Sequence, residues 1–101
     1  MTSPTEERVS IDAARALVSS ALAASKVTEA NAASVARALV AAEVDGQRGH
    51  GLSRVAAYAA QAASGKVNGK ANPSVTEPRP ALLTVDAQHG FAFPAVDAAW
   101  D

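Results

Sequence analysis

Apolar positions recur with helical spacing in three stretches of this chain, and proline- and glycine-punctuated segments break the pattern after them. From Ser10, the residues Ile11, Ala14, Leu17, Val18, Ala21 and Leu22 fall at i, i+3, i+4 spacing on one face. Ser10 is the expected N-cap, with Asp12 in the first turn where the helix dipole favours an acid. Thr28 caps a second predicted helix, whose stripe is Ala32, Val35, Ala36, Leu39 and Val40. The short connection between the two predicts an antiparallel hairpin. Asp45-Gly46-Gln47-Arg48-Gly49-His50-Gly51 then reads as an irregular, exposed connection. A third helix is expected from about Gly51 to Ser64, with Leu52, Val55, Ala56, Ala59 and Ala63 on its apolar side and Gly65 as C-cap.

Beyond that point Asn68-Gly69, Pro73, Pro78 and Pro80 exclude a long helix. Val75–Glu77 and Ala81–Asp86 read as short strands around a proline-bent connection, with a turn at Gln88-His89-Gly90. Pro94 to Asp101 reads as the start of a further helix with proline near N1. The expected organisation is a flexible terminus over 1–9, a helical region with three helices over 10–66, and a β-containing segment with the start of a truncated helix over 67–101. The fold class is mainly α with a short β segment (α+β).

Composition narrows the picture. Of 101 residues 26 are alanine, and only 23 are large apolar residues, a thin supply for an independently stable domain. The formal net charge of −1 offers no electrostatic footprint for a phosphate backbone or an anionic membrane surface. Zero cysteines exclude a disulfide framework and cysteine nucleophiles. The start, MTSPTEERVS, lacks an apolar leader region, so the chain is expected in the cytoplasm with neither membrane nor nucleic acid as partner.

One group of residues suits a definite chemistry. On a helix beginning near Gly49, His50, Arg54 and Tyr58 stand at i, i+4 and i+8, on one face and opposite much of the apolar stripe. Arginine holds a carboxylate by two parallel hydrogen bonds, and histidine exchanges a proton with a hydroxyl or carbonyl near neutral pH. Each also has an ordinary reading, Arg54 at a solvated helix position, Tyr58 in half-buried packing and His50 in a loop, and spacing alone leaves both readings open. Gly46, Gly49 and Gly51 do not form G-x-G-x-x-G, because residue 54 is Arg and the glycines follow a helical pattern. His50 and His89, without cysteine, show no metal-ligand spacing, and His89 beside Gly90 reads as a turn residue. The Glu6/Glu7 and Asp97/Asp101 pairs read as solvated ends.

The run Ala42-Glu43-Val44-Asp45-Gly46-Gln47-Arg48-Gly49-His50-Gly51-Leu52-Ser53-Arg54-Val55-Ala56-Ala57-Tyr58, with Gly65-Lys66-Val67-Asn68 after it, resembles the malate/L-lactate dehydrogenase family of NAD(P)-dependent oxidoreductases. Val85-Asp86-Ala87-Gln88-His89-Gly90-Phe91 is similar to the strand end and glycine turn that precede a long helix in that family. The resemblance covers about residues 8 to 101 and implies the N-terminal helical part of a larger α/β dehydrogenase of the malate/L-lactate (sulfolactate) dehydrogenase-like fold. It implies hydride transfer between a nicotinamide cofactor, NAD or NADP, and a small 2-hydroxy or 2-keto acid, in an enzyme that is a homodimer at full length. By the same resemblance His50 is the catalytic proton donor and acceptor, Arg54 binds the substrate carboxylate and Tyr58 lines the same pocket. The cofactor-binding segments are expected beyond residue 101, so the 101 residues alone are expected to be inactive. Gly49 stands where the family pattern has serine, which removes a hydroxyl able to orient the imidazole, and Ala92 replaces a usual glycine. The alternative, from the residues themselves, is a small helical binding or dimerisation module of helix-turn-helix type without catalysis.

Overall fold

A computed structural model describes residues 8–100, so the expected flexible terminus up to residue 7, the Glu6/Glu7 pair and Asp101 lie outside the described residues. The chain is mainly helical, with one two-stranded sheet: α1 (Ile11–Ala23), α2 (Glu29–Val44), α3 (Val55–Ser64), β1 (Ser74–Arg79), β2 (Leu82–Asp86) and α4 (Ala92–Trp100). The predicted caps form. Ser10 accepts from the Ala13 N–H and Thr28 from the Asn31 N–H, each satisfying a donor that the first helical turn leaves without a partner. Gly65 closes α3 in the left-handed conformation, at φ 84°.

α2 is the spine of the core. Its predicted stripe, Ala32, Val35, Ala36, Leu39 and Val40, is buried throughout and packs with Val18 and Leu22 of α1, Val27, Ala62 of α3 and Phe91. The stripe predicted for α1 is only partly used: Val18 and Leu22 are buried, whereas Leu17 is 65% exposed and Ile11 48%. The described neighbours of α1 cover a narrower band than the sequence pattern spans.

α3 differs more. It starts at Val55, because residues 48–54 form two short 3-10 turns instead of the first turn of the helix. The face turned to the core is therefore Val55, Tyr58, Ala59 and Ala62, while Ala56 and Ala63 are exposed. The ten residues between α2 and α3 also exceed the three- or four-residue turn of a helix-turn-helix.

β1 and β2 pair antiparallel, with Ser74 opposite Asp86, Val75 opposite Val85 and Thr76 opposite Thr84. Both strands reach beyond or short of the expected limits, and Pro78 lies inside β1. The register shifts between Thr76 and Arg79, an irregularity placed where Pro78 can supply no N–H to the ladder. The turn falls at Ala81, in the left-handed region at φ 62°. α4 begins two residues earlier than predicted, at Ala92, so Pro94 occupies the third position of its first turn, where no N–H is required.

Asn31 joins the helices to the later segment. Its Nδ2 donates to the carbonyls of Gly69, at 3.0 Å, and Ala71, at 2.7 Å, and the Thr28 N–H donates to Gly69 O at 3.1 Å. Gly69 is required here, since a Cβ would stand 2.5 Å from Lys26 O and 3.0 Å from Val27 Cα. α4 is tied to α2 by Asp97, whose Oδ2 accepts from Ser34 Oγ at 2.6 Å and from Arg37 at 2.9 Å. The β-ribbon is exposed on both faces. The radius of gyration, 15.0 Å, exceeds the roughly 13 Å of a compact chain of this length. Among the described residues no helix is long and apolar enough to cross a membrane.

Candidate active-site loop

The loop that carries the candidate residues begins with a tight helix end. Gly46, at φ 82°, lets the chain reverse so that its N–H donates to Glu43 O at 3.0 Å and the Gln47 N–H to Ala42 O at 2.9 Å. This pair of bonds is a Schellman motif, and it satisfies carbonyls that the last turn of α2 leaves open. The chain then makes the two 3-10 turns, Arg48–His50 and Leu52–Arg54.

Side chains fix the turns. Ser53 Oγ donates to Arg48 O at 2.6 Å, Arg54 Nε donates to Gly49 O at 2.6 Å, and the Leu52 N–H donates to Glu43 Oε1 at 2.9 Å. Gly51 lies against α2: a Cβ built there would be 2.7 Å from Glu43 Oε1 and 3.0 Å from both Glu43 Cα and Cβ. At Gly49 the same construction meets nothing within 4 Å.

The three candidate residues are not on one helix face. His50 closes the first 3-10 turn, Arg54 closes the second and Tyr58 lies in the first turn of α3. The Arg54 side chain folds back onto the carbonyl of Gly49, the residue before His50. His50 and Arg54 are both exposed. With Nε occupied, the terminal nitrogens of Arg54 have no partner among the described residues, so the edge of the guanidinium that can grip a carboxylate is directed away from the backbone bond. Tyr58 is half-buried, its ring 5.6 Å from that of Phe91 and tilted at 45°. It packs on the core side of α3, at the half-buried depth of its ordinary reading and not opposite the apolar stripe.

Beside the loop is an apolar cleft of about 340 Å³, lined by Val9, Ile11, Ala14, Val40, Glu43, Val44 and Leu52. Among the described residues no group of three or more His, Cys, Asp or Glu side chains is placed to hold a metal ion. Among the described residues the sheet is a two-stranded antiparallel ribbon. Sequence reasoning singled out neither Glu43 nor Asn31. The signal for Glu43 was present in the close pairing of an acid at a helix end with a glycine-flanked turn.

The sequence model of the malate/L-lactate dehydrogenase family matches residues 9–101. A (2R)-3-sulfolactate dehydrogenase (NADP+) from Chromohalobacter salexigens is 47% identical over 88 residues, which is 87% of this chain and 26% of that protein. A Δ1-pyrroline-2-carboxylate reductase from Ancylobacter novellus is 39% identical over 89% of this chain and 26% of its own length. The crystal structure of Δ1-piperideine-2-carboxylate reductase from Pseudomonas syringae pv. tomato superposes with a TM-score of 0.90 at 34% identity, over 94% of this chain and 29% of that one. Malate dehydrogenase from Entamoeba histolytica gives 0.76 at 28% identity, over 86% of this chain and 24% of that one. The chain thus spans about a quarter of the length of the curated relatives it matches.

Proposed function

Since this chain belongs to the malate/L-lactate dehydrogenase family, we propose that it forms the substrate-facing loop of an oxidoreductase that uses NAD or NADP on small acids carrying a C=O or C=N carbon next to a carboxylate. Malate and lactate have that carbon at the hydroxyl level, and the names of the relatives add sulfolactate and the cyclic imino acids. In this reading Arg54 holds the substrate carboxylate through its terminal nitrogens. His50, one turn away in the same loop, gives a proton to the carbonyl oxygen or imine nitrogen on reduction and takes it back on oxidation. Tyr58 narrows the pocket from the side of α3. The observation that supports the reading is the bond from Arg54 Nε to Gly49 O, which ties the guanidinium to the residue before His50.

No residue described here is assigned to the dinucleotide, and the 101 residues on their own are expected to be silent. The natural enzyme is expected to work in the cytoplasm as a homodimer. The test is to follow NADH and NADPH absorbance with the purified natural polypeptide and a panel of 2-keto acids and cyclic imino acids. Turnover confined to substrates with the adjacent carboxylate, and lost in His50→Ala, is expected. Turnover that survives His50→Ala undiminished, or none with any member of the panel, overturns the reading.

A further inference from the structure

We propose that Glu43 is a positioning residue, whose Oε1 holds the loop bearing His50 and Arg54 against the last turn of α2. The inference rests on the functional reading above for the roles of those two residues, and on two contacts of its own.

The first contact is the bond from the Leu52 N–H to Glu43 Oε1, at 2.9 Å. Leu52 opens the second 3-10 turn, and the N–H groups at the start of such a turn have no partner within it. The second is the approach of Gly51. A Cβ at that position would lie 2.7 Å from the accepting oxygen and 3.0 Å from Glu43 Cα, so the bare backbone of residue 51 is what admits the carboxylate. Both contacts bear on one point of the chain: His50 immediately precedes Gly51, and the Arg54 N–H donates to Gly51 O at 3.0 Å. Displacing Leu52 from Glu43 displaces the histidine and the arginine together. Glu43 is half-buried, and a carboxylate oxygen is a stronger acceptor than a neutral one.

This geometry asks for an acceptor oxygen at a fixed reach, and it sets three variants of the full natural polypeptide apart. Glu43→Gln keeps the oxygen and the reach, Glu43→Asp keeps the charge and shortens the reach, and Glu43→Ala removes both. Two measurements are made on each: hydrogen exchange of the Leu52 amide, and KM and kcat for the acid substrate. In Glu43→Ala and Glu43→Asp the Leu52 amide is expected to exchange about tenfold faster or more, with kcat/KM reduced about a hundredfold by the misplaced loop. Glu43→Gln is expected to stay near the parent in both.

Unchanged Leu52 exchange in Glu43→Ala overturns the proposal. So does a Glu43→Gln protein that keeps its Leu52 amide protected yet loses as much kcat/KM as Glu43→Ala, because the charge and not the hold would then matter. If Glu43→Ala fails to fold, the contrast between the glutamine and aspartate variants decides the same question. A parent without turnover removes the functional reading, while Leu52 exchange still decides whether Glu43 holds the loop.

Discussion

The ring of Tyr58 rests 5.6 Å from that of Phe91, tilted 45° to it, so that α3 and the turn entering α4 share an aromatic contact at the edge of the core. Such pairs add to the area they bury. Phe91 is 7% exposed and contacts the cluster built on α2. Phe91→Ala is expected to destabilise the fold by about 3 kcal/mol or more, measured by urea denaturation. It also releases Tyr58, so KM for the acid substrate is expected to rise in whatever fraction stays folded. A variant with parental stability would show that the pair is incidental.

Asn31 is a second point where one side chain decides the stability. Its amide is buried and donates to the two carbonyls of Gly69 and Ala71. Asn31→Ala leaves Ala71 O without the Asn31 donor and Gly69 O with the Thr28 N–H alone, and is expected to cost about 1–3 kcal/mol. Asn31→Asp is expected to cost more, because a carboxylate has no donor to offer and faces two carbonyl oxygens. Denaturation midpoints in that order support the account; an aspartate variant as stable as the parent removes it.

Arg54 separates affinity from architecture. Arg54→Lys keeps the charge and loses the planar fork, and it also loses the bond to Gly49 O. KM for the acid is expected to rise about tenfold to a hundredfold, the range of one to two charge-assisted hydrogen bonds. Melting temperature should move little, since the residue is exposed. Steady-state kinetics beside a thermal melt make the comparison, and a large loss of stability with KM intact would assign Arg54 to the loop and not to the substrate.

Gly49 is open to change. Nothing lies within 4 Å of a Cβ built there, so Gly49→Ser fits without a shift and is expected to alter stability by no more than about 0.5 kcal/mol. The added hydroxyl stands next to His50 and restores the group that the family pattern carries. An increase in kcat is the expected outcome, and a decrease would show that this loop is adapted to the glycine.

Local signals in the sequence were readable where local physics decides. Ser10, Thr28 and Gly65 cap helices through bonds to residues a few positions away, and residue type and position are enough to find each. The stripe of α2 was legible because this helix is covered from Ala32 to Val40. The start of α3 was not, since Leu52 continues the i, i+3, i+4 stripe of Val55 and Ala56 and only contacts with Glu43 and within the loop favour 3-10 turns. That shift also moved Tyr58 to the buried side. His50 and Arg54 were singled out from residue type and family likeness, whereas Glu43 and Asn31 act across sequence separations that no periodicity encodes.

The two bonds of Asn31 span 38 and 40 residues and close the chain into a ring. His50, Arg54 and Tyr58 all lie on that ring, between its two anchored ends. A closed segment has far fewer arrangements than a free one, and much of the entropy of ordering it is lost at the moment of closure. The loop of the candidate site therefore has two ways to loosen: a small excursion within the ring, or release of the whole ring when the Asn31 clasp opens. The second is a cooperative unit of local unfolding. It would disorder His50, Arg54 and Tyr58 together, so a lesion at Asn31 acts on candidate-site residues it never touches.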